Sequence, residues 1–176
     1  MIQEATTKQS LSQSVIPAVP GEYYAYSARF TAEQPLYVFM KCKANKVRLV
    51  ADAKSLGREA NLLFLLESST QAQVCSVREA CTCGLLGDSV SKELFGETWI
   101  GHTVITAENF YEVRSQKDVT TLVKICRSAC SKRETSISLS NGTVIAMMTD
   151  GGKYGMFLVK ELTPSSILID ACHILL

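Results

Sequence analysis

The sequence predicts an α+β domain built mostly from antiparallel β-hairpins with one long amphipathic helix, and three observations carry this prediction. β-rich segments in the second half are separated by turn sequences, namely Asn141-Gly142, Asp150-Gly151-Gly152 and Pro164-Ser165. Apolar residues recur at helical spacing over about residues 116–132. The chain has 176 residues, 47% hydrophobic and 20% charged, which suits one globular domain.

The first twenty residues predict a flexible leader. Met1–Ser14 is polar and lacks the basic start and apolar centre of a signal peptide. We therefore expect residues 21–176 to form a single cytoplasmic domain, and the alternative organisation is two halves, 21–97 and 98–176, that share a core. An exported protein is the alternative if a signal peptide was removed.

The domain is expected to begin with a strand over Glu22–Phe30, because aromatic and polar residues alternate there. Leu36–Cys42 and Lys46–Ala51 predict the next hairpin. The aromatic face of the first strand packs in the core or forms a platform for a partner. The basic tip of the hairpin is a solvated edge or an anion site. The candidate binding residues are Tyr24, Tyr26, Lys43, Lys46 and Arg48.

The middle of the chain predicts short helices and further strands. The apolar run within Ala53–Glu67 favours a buried helix, with a central strand as the alternative. Ser76 and Glu79 have the spacing of a capping box, so a short helix should follow. Asp88–Leu94 predicts another short helix, ended by Gly96. Two further segments are strand-like, Thr98–Thr106 and Asn109–Arg114.

The long helix is followed by a predicted β-meander. Asp118 in the first turn and basic residues in the last turn suit the helix dipole, and the apolar stripe should cover one face of the sheet. Asn141-Gly142 favours a type I′ turn, which needs positive φ at both residues. The predicted strands are Thr135–Ser140, Thr143–Thr149, Lys153–Lys160 and Ser166–Ile174.

Composition and motifs exclude several functional classes. A net charge of +1 provides no basic field for nucleic acid. No apolar run reaches the length of a membrane span. The chain lacks a phosphate-binding loop, a Gly-x-Ser-x-Gly elbow and a His-Glu-x-x-His zinc motif. No cofactor or metal site is therefore predicted, and an enzymatic role is not favoured.

Seven cysteines are the remaining chemical feature, and their number is odd. Free thiols in a reducing compartment explain them most simply. Disulfides after export and a zinc site are the alternatives. A small thiol- or zinc-dependent protein or a cysteine enzyme would draw on the thiols together with His102 or His173. The thiols in question are Cys81, Cys83, Cys126, Cys130 and Cys172.

The favoured function is that of a non-enzymatic binding or assembly module that acts through its β-surface or edge strands. Strand edges offer unpaired backbone groups to a protein partner or to a second copy of the chain. We expect the C-terminal strand, Ile167–Leu176, to be one such edge, because its last three residues are apolar and need to be covered.

Overall fold

The computed structural model describes residues 22–38, 46–68 and 71–175, which form two antiparallel sheets and several helices. The strands are β1 Glu22–Thr31, β2 Leu36–Val38, β3 Val47–Arg48, β4 Ala60–Leu66, β5 Ala72–Ser76, β6 Thr98–His102, β7 Ser136–Leu139, β8 Val144–Thr149, β9 Lys153–Leu162 and β10 Ser166–Leu175. The α-helices are α1 Ala53–Leu56, α2 Val77–Thr82, α3 Ala107–Gln116 and α4 Val119–Ala129. Single 3₁₀ turns occupy Val50–Asp52, Gly57–Glu59 and Lys92–Leu94.

The first sheet has the order β1-β10-β9-β8-β6, and the second has the order β3-β2-β4-β5-β7. All strand pairs are antiparallel, which confirms the predicted α+β class. β1 joins the sheet formed by later strands, and β7 joins the sheet formed by earlier ones. Within the described ranges, no helix is long and apolar enough to cross a membrane.

The two sheets pack face to face, and helices cover their outer faces. Phe30 of β1 stacks on Phe64 of β4 with ring centroids 4.1 Å apart, which joins the two sheets through their inner faces. Leu122 of α4 is fully buried against the outer face of the first sheet. Val77 and Ala80 of α2 pack on the outer face of the second sheet. Four layers therefore follow one another: helices, sheet, sheet, helices.

The single long helix predicted at 116–132 is wrong, because the helix in this span, α4, is shorter (Val119–Ala129) and a separate helix, α3, comes before it. Lys117 ends α3 in the left-handed conformation with φ 51°. Asp118 then caps α4, and its side chain accepts a hydrogen bond from the Thr121 amide at 3.0 Å. The segment Asn109–Arg114, predicted as a strand, lies inside α3. Thr106 caps that helix, since its hydroxyl accepts a hydrogen bond from the Asn109 amide at 3.2 Å.

The middle of the chain also differs from the expectation in two places. The apolar run within Ala53–Glu67 forms the central strand β4, since both faces of that strand are covered, and only the short α1 precedes it. The helix expected at Asp88–Leu94 is reduced to the 3₁₀ turn Lys92–Leu94. Ser76 caps α2 as expected, because its hydroxyl accepts a hydrogen bond from the Glu79 amide at 3.1 Å, but the capping box is incomplete, since the Ser76 amide donates to the Thr135 carbonyl at 2.8 Å.

The predicted meander is correct from β8 onward but wrong at its start. β8, β9 and β10 pair in sequence order, whereas β7 pairs with β5 in the other sheet. Asn141-Gly142 therefore carries the chain between sheets. The turn is not type I′, because only Gly142 has positive φ, at 79°.

The C-terminal strand is not an edge. β10 lies between β1 and β9, and it pairs with both along most of its length. The side chain of Ile174 is fully buried under the helices of the first sheet. Burial against the rest of the chain thus covers Ile174 and Leu175, whereas Leu176 lies outside the described residues. Within the described ranges, the edge strand on this side of the sheet is β1.

Candidate functional site

Three of the predicted binding residues come together between the ends of the two sheets. The Lys46 ammonium lies 5.0 Å from the ring centroid of Tyr24 and 5.6 Å from that of Tyr26, which are cation–π distances. Arg48 is partly buried in the neighbouring strand β3. Lys43 lies outside the described residues.

His173 completes this group from β10. The Tyr26 hydroxyl lies 2.9 Å from His173 Nδ1 and also hydrogen-bonds to the hydroxyl of Tyr37. His173 and Tyr37 are fully buried. Burial, with smaller contributions from Lys46 and Lys153, lowers the pKa of His173 to about 3, so the ring is neutral at pH 7. This arrangement links the two sheets in the core.

The cysteines and histidines considered for a thiol or zinc site are separated. Cys81 and Cys83 lie in and just after α2, on the second sheet. Cys126 of α4, its C-cap residue Cys130 and Cys172 of β10 lie in the interface between α4 and the first sheet. His173 points to the opposite face of that sheet, and His102 is exposed at the end of β6.

The thiols under α4 are also poor nucleophiles. Burial raises the pKa of Cys130 to about 12 and raises the pKa of Cys126 and Cys172 as well, so these sulfurs stay protonated. Among residues 22–38, 46–68 and 71–175, no group of three or more His, Cys, Asp and Glu could hold a metal ion. The six cysteines in these ranges are free thiols.

The longest free edge in the described part of the chain belongs to β1. Strand β3 spans two residues and β7 spans four. The outer edge of β6 already carries one backbone hydrogen bond, because the Ile100 amide donates to the carbonyl oxygen of Glu134 at 2.9 Å. β1 spans ten residues and pairs with β10 on one side only.

Register shows which backbone groups of β1 point away from the sheet. The Thr163 amide donates to the Ser166 carbonyl at 2.9 Å, so Ser166 and every second residue after it face β9. The alternate residues of β10 face β1 and pair with Tyr24, Tyr26 and Ala28. The outward-facing residues of β1 are consequently Tyr23, Ala25, Ser27 and Arg29.

These four outward residues form an open row of donors and acceptors. Their backbone N–H and C=O groups have no hydrogen-bond partner within residues 22–38, 46–68 and 71–175. The side chains of Ala25 and Ser27, at the centre of the row, are small and exposed. The features that usually block an edge, such as proline or central lysines, are absent from β1.

A groove runs beside this edge, between β1 and α3. We call it the β1–α3 groove, and its volume is about 820 Å³. Ala25 forms its floor on the strand side. The α3 side includes one acidic residue in the first turn of the helix, one at its middle, and basic residues at its end. Its lining residues include Ala25, Glu108, Tyr111, Glu112, Arg114 and Lys117.

A buried aspartate fixes α3 against β1 and β10. Asp170 accepts hydrogen bonds from the Ser27 hydroxyl and, at 2.5 Å, from the Tyr111 hydroxyl, and Lys160 lies 3.4 Å away. Burial raises the pKa of Asp170, but these partners outweigh burial and hold it below its usual value. The Tyr23 hydroxyl also donates to the Arg114 carbonyl at 3.2 Å. The groove therefore has a rigid wall.

Sequence reasoning found the strand of this site but missed the helix. The alternation of Glu22–Phe30 identified β1 and its faces correctly. Phe110 and Val113 are buried at helical spacing, and Thr106 is a good N-cap residue, so a signal for α3 was present. The aromatic and β-branched residues of Asn109–Arg114 favoured a strand instead.

Comparison with known proteins supports the fold alone. No protein-family model matches the chain, and no curated protein matches it. A crystal structure of a DUF4466 family protein from Parabacteroides merdae is similar, with a TM-score of 0.50 and 12% identity over 87% of this chain. The similar region spans 53% of that protein, so this chain corresponds to about half of its length.

Proposed function

We propose that this protein is a non-enzymatic binding module that takes up an extended protein segment as an additional strand on β1. The observation that carries the proposal is the ten-residue edge of β1 with its four outward backbone pairs. Strand addition gains affinity from main-chain hydrogen bonds and specificity from side chains that enter flanking pockets.

The surroundings of β1 suit such a partner. The small side chains of Ala25 and Ser27 leave room for an incoming strand whose own side chains point toward α3. Those side chains would enter the β1–α3 groove, which offers the exposed Tyr111 ring and charges of both signs. Because Asp170 and Tyr23 hold α3 in place, the groove needs little ordering on binding.

The first experiment removes one outward N–H group. Ala25→Pro deletes the Ala25 amide proton, which faces away from β10, so the pairing of β1 within the sheet is retained. Extended peptides selected from a random displayed library on the wild-type protein should bind the variant about tenfold more weakly or not at all. Titration calorimetry measures the affinities.

Ala25→Ser is the matched control, because it changes the side chain and keeps the amide proton. It should bind the selected peptides as the wild type does. Hydrogen exchange gives an independent check. The amides of Ala25, Ser27 and Arg29 should become protected when a peptide binds. Peptides that bind Ala25→Pro as tightly as the wild type would show that β1 is not the binding edge.

A further inference from the structure

We infer that the strand taken up by β1 is the β1 strand of a second copy of this chain, so that two molecules join their first sheets into one ten-stranded sheet. This inference rests on the proposed function and names its partner. When β1 pairs with the β1 strand of a copy related by a two-fold axis, both subunits use the same surface, and the result is a closed dimer.

The sequence of β1 allows a two-fold antiparallel register. With Tyr26 on the axis, Ala25 lies opposite the partner's Ser27. Tyr23 lies opposite the partner's Arg29. Both pairs consist of outward-facing residues, as hydrogen-bonded antiparallel pairs require.

Side-chain size also fits this register. The small residues Ala25 and Ser27 face one another on the helix-covered side of the sheet. On the inner face, Tyr24 lies opposite the partner's Ala28, so a large side chain meets a small one.

The charges of α3 are self-complementary under the same symmetry. Glu108 lines the groove in the first turn of the helix, Glu112 lies at its middle, and Arg114 and Lys117 follow. Tyr111 lies on the Ser27 side of the axis and Arg114 on the Tyr23 side, so a two-fold axis places the Glu108 of each α3 opposite the Arg114 of the other. The charge pattern thus favours a second copy over a uniformly acidic or basic segment.

The distance between the two helices can be bridged by these side chains. The backbone of α3 contacts β9, and two hydrogen bonds join the helix to the strands nearer the edge: Tyr111 donates to Asp170 of β10, and Tyr23 of β1 donates to the Arg114 carbonyl. From β10 to the partner's β10 is three strand spacings, about 14 Å, because neighbouring strands lie about 4.8 Å apart. Opposed glutamate and lysine or arginine side chains can meet across such a gap.

Sedimentation velocity over a wide range of protein concentration tests the inference. The wild type and Ala25→Ser should form dimers, and Ala25→Pro should remain monomeric. Glu108→Arg places like charges opposite each other, because Glu108 faces the partner's Arg114 in this register, and should weaken the dimer about tenfold. The swapped pair Glu108→Arg/Arg114→Glu should restore the dimer, which a loss of folding would not allow.

Two results would overturn the inference. One is a wild type that stays monomeric at every concentration. The other is an Ala25→Pro variant that dimerises as the wild type does. If the wild type is monomeric but the selected peptides still bind it and fail to bind Ala25→Pro, the second copy is excluded and the proposed function is supported. Loss of both self-association and peptide binding in the wild type contradicts both proposals.

Discussion

Gly142 illustrates how one residue can be identified correctly while its structural role is misassigned. Its positive φ of 79° was expected from the Asn-Gly pair, but the turn joins two sheets instead of two neighbouring strands. The Thr143 amide donates to the Ser140 carbonyl at 3.3 Å across it. The chain direction therefore depends on a backbone conformation that favours glycine.

Replacing Gly142 should lower stability through the backbone alone. No atom lies within 4 Å of a Cβ added there, so a new side chain meets no obstacle. Gly142→Val should cost about 1–3 kcal/mol, because β-branched residues are strained at positive φ. Gly142→Asn, which tolerates this conformation, should cost less. Urea unfolding measures both, and equal midpoints for the valine variant and the wild type would contradict the assigned turn.

At the scale of elements, the break between α3 and α4 depends on two adjacent residues. Lys117 takes the left-handed conformation and Asp118 caps the next helix, so α4 begins at Val119 and is separate from α3, which ends at Gln116. The Asp118 cap was recognisable as an acidic first turn. The left-handed lysine was not, because lysine has no preference for that conformation.

Helix α4 offers a direct test of its predicted face. Leu122 is fully buried against β8 and β9, and Lys124 is exposed on the other side. Leu122→Ala should lower the free energy of unfolding by about 2–5 kcal/mol, because it removes apolar contacts and leaves a cavity. Lys124→Ala should be nearly neutral. Similar losses for the two variants in chemical denaturation would mean that the helix is rotated.

Element type was predictable where the pattern was long and regular. The alternation in β1 and the stripe of Leu122, Val123 and Cys126 both identify the correct faces. The apolar run of β4 was too short for periodicity to separate a strand from a buried helix. Its neighbours in space, β2 and β5, decide the outcome, and these contacts are tertiary.

At the scale of the whole molecule, strand order could not be derived from sequence. Turn residues predict which strands follow each other, but β1 pairs with β10 across most of the chain, and β7 leaves its sequence neighbours for β5. The candidate site depends on this order. β1 stands at the end of the strand order, because it pairs with β10 on one side and with no other described strand on the other side.

The two-sheet arrangement also predicts how acid destabilises the protein. His173 is buried between the sheets with Tyr24, Tyr26, Tyr37 and Lys46 around it. Its pKa falls from 6.5 to about 3 in the folded state. Between these values the unfolded chain binds a proton that the folded chain does not, so stability falls as pH falls.

Within this pH window, the free energy of unfolding should fall by up to about 1.4 kcal/mol for each pH unit of acidification. His173→Gln removes the titrating group, and its stability should change less between pH 6.5 and 4.5. The lowered pKa of Asp170 contributes only below its usual value of 3.8, so this interval separates the two groups. Urea unfolding at several pH values measures both proteins. If the free energies of unfolding of the variant and the wild type change equally with pH, then the folded state does not lower the pKa of His173, because the ring is protonated there or exposed to solvent.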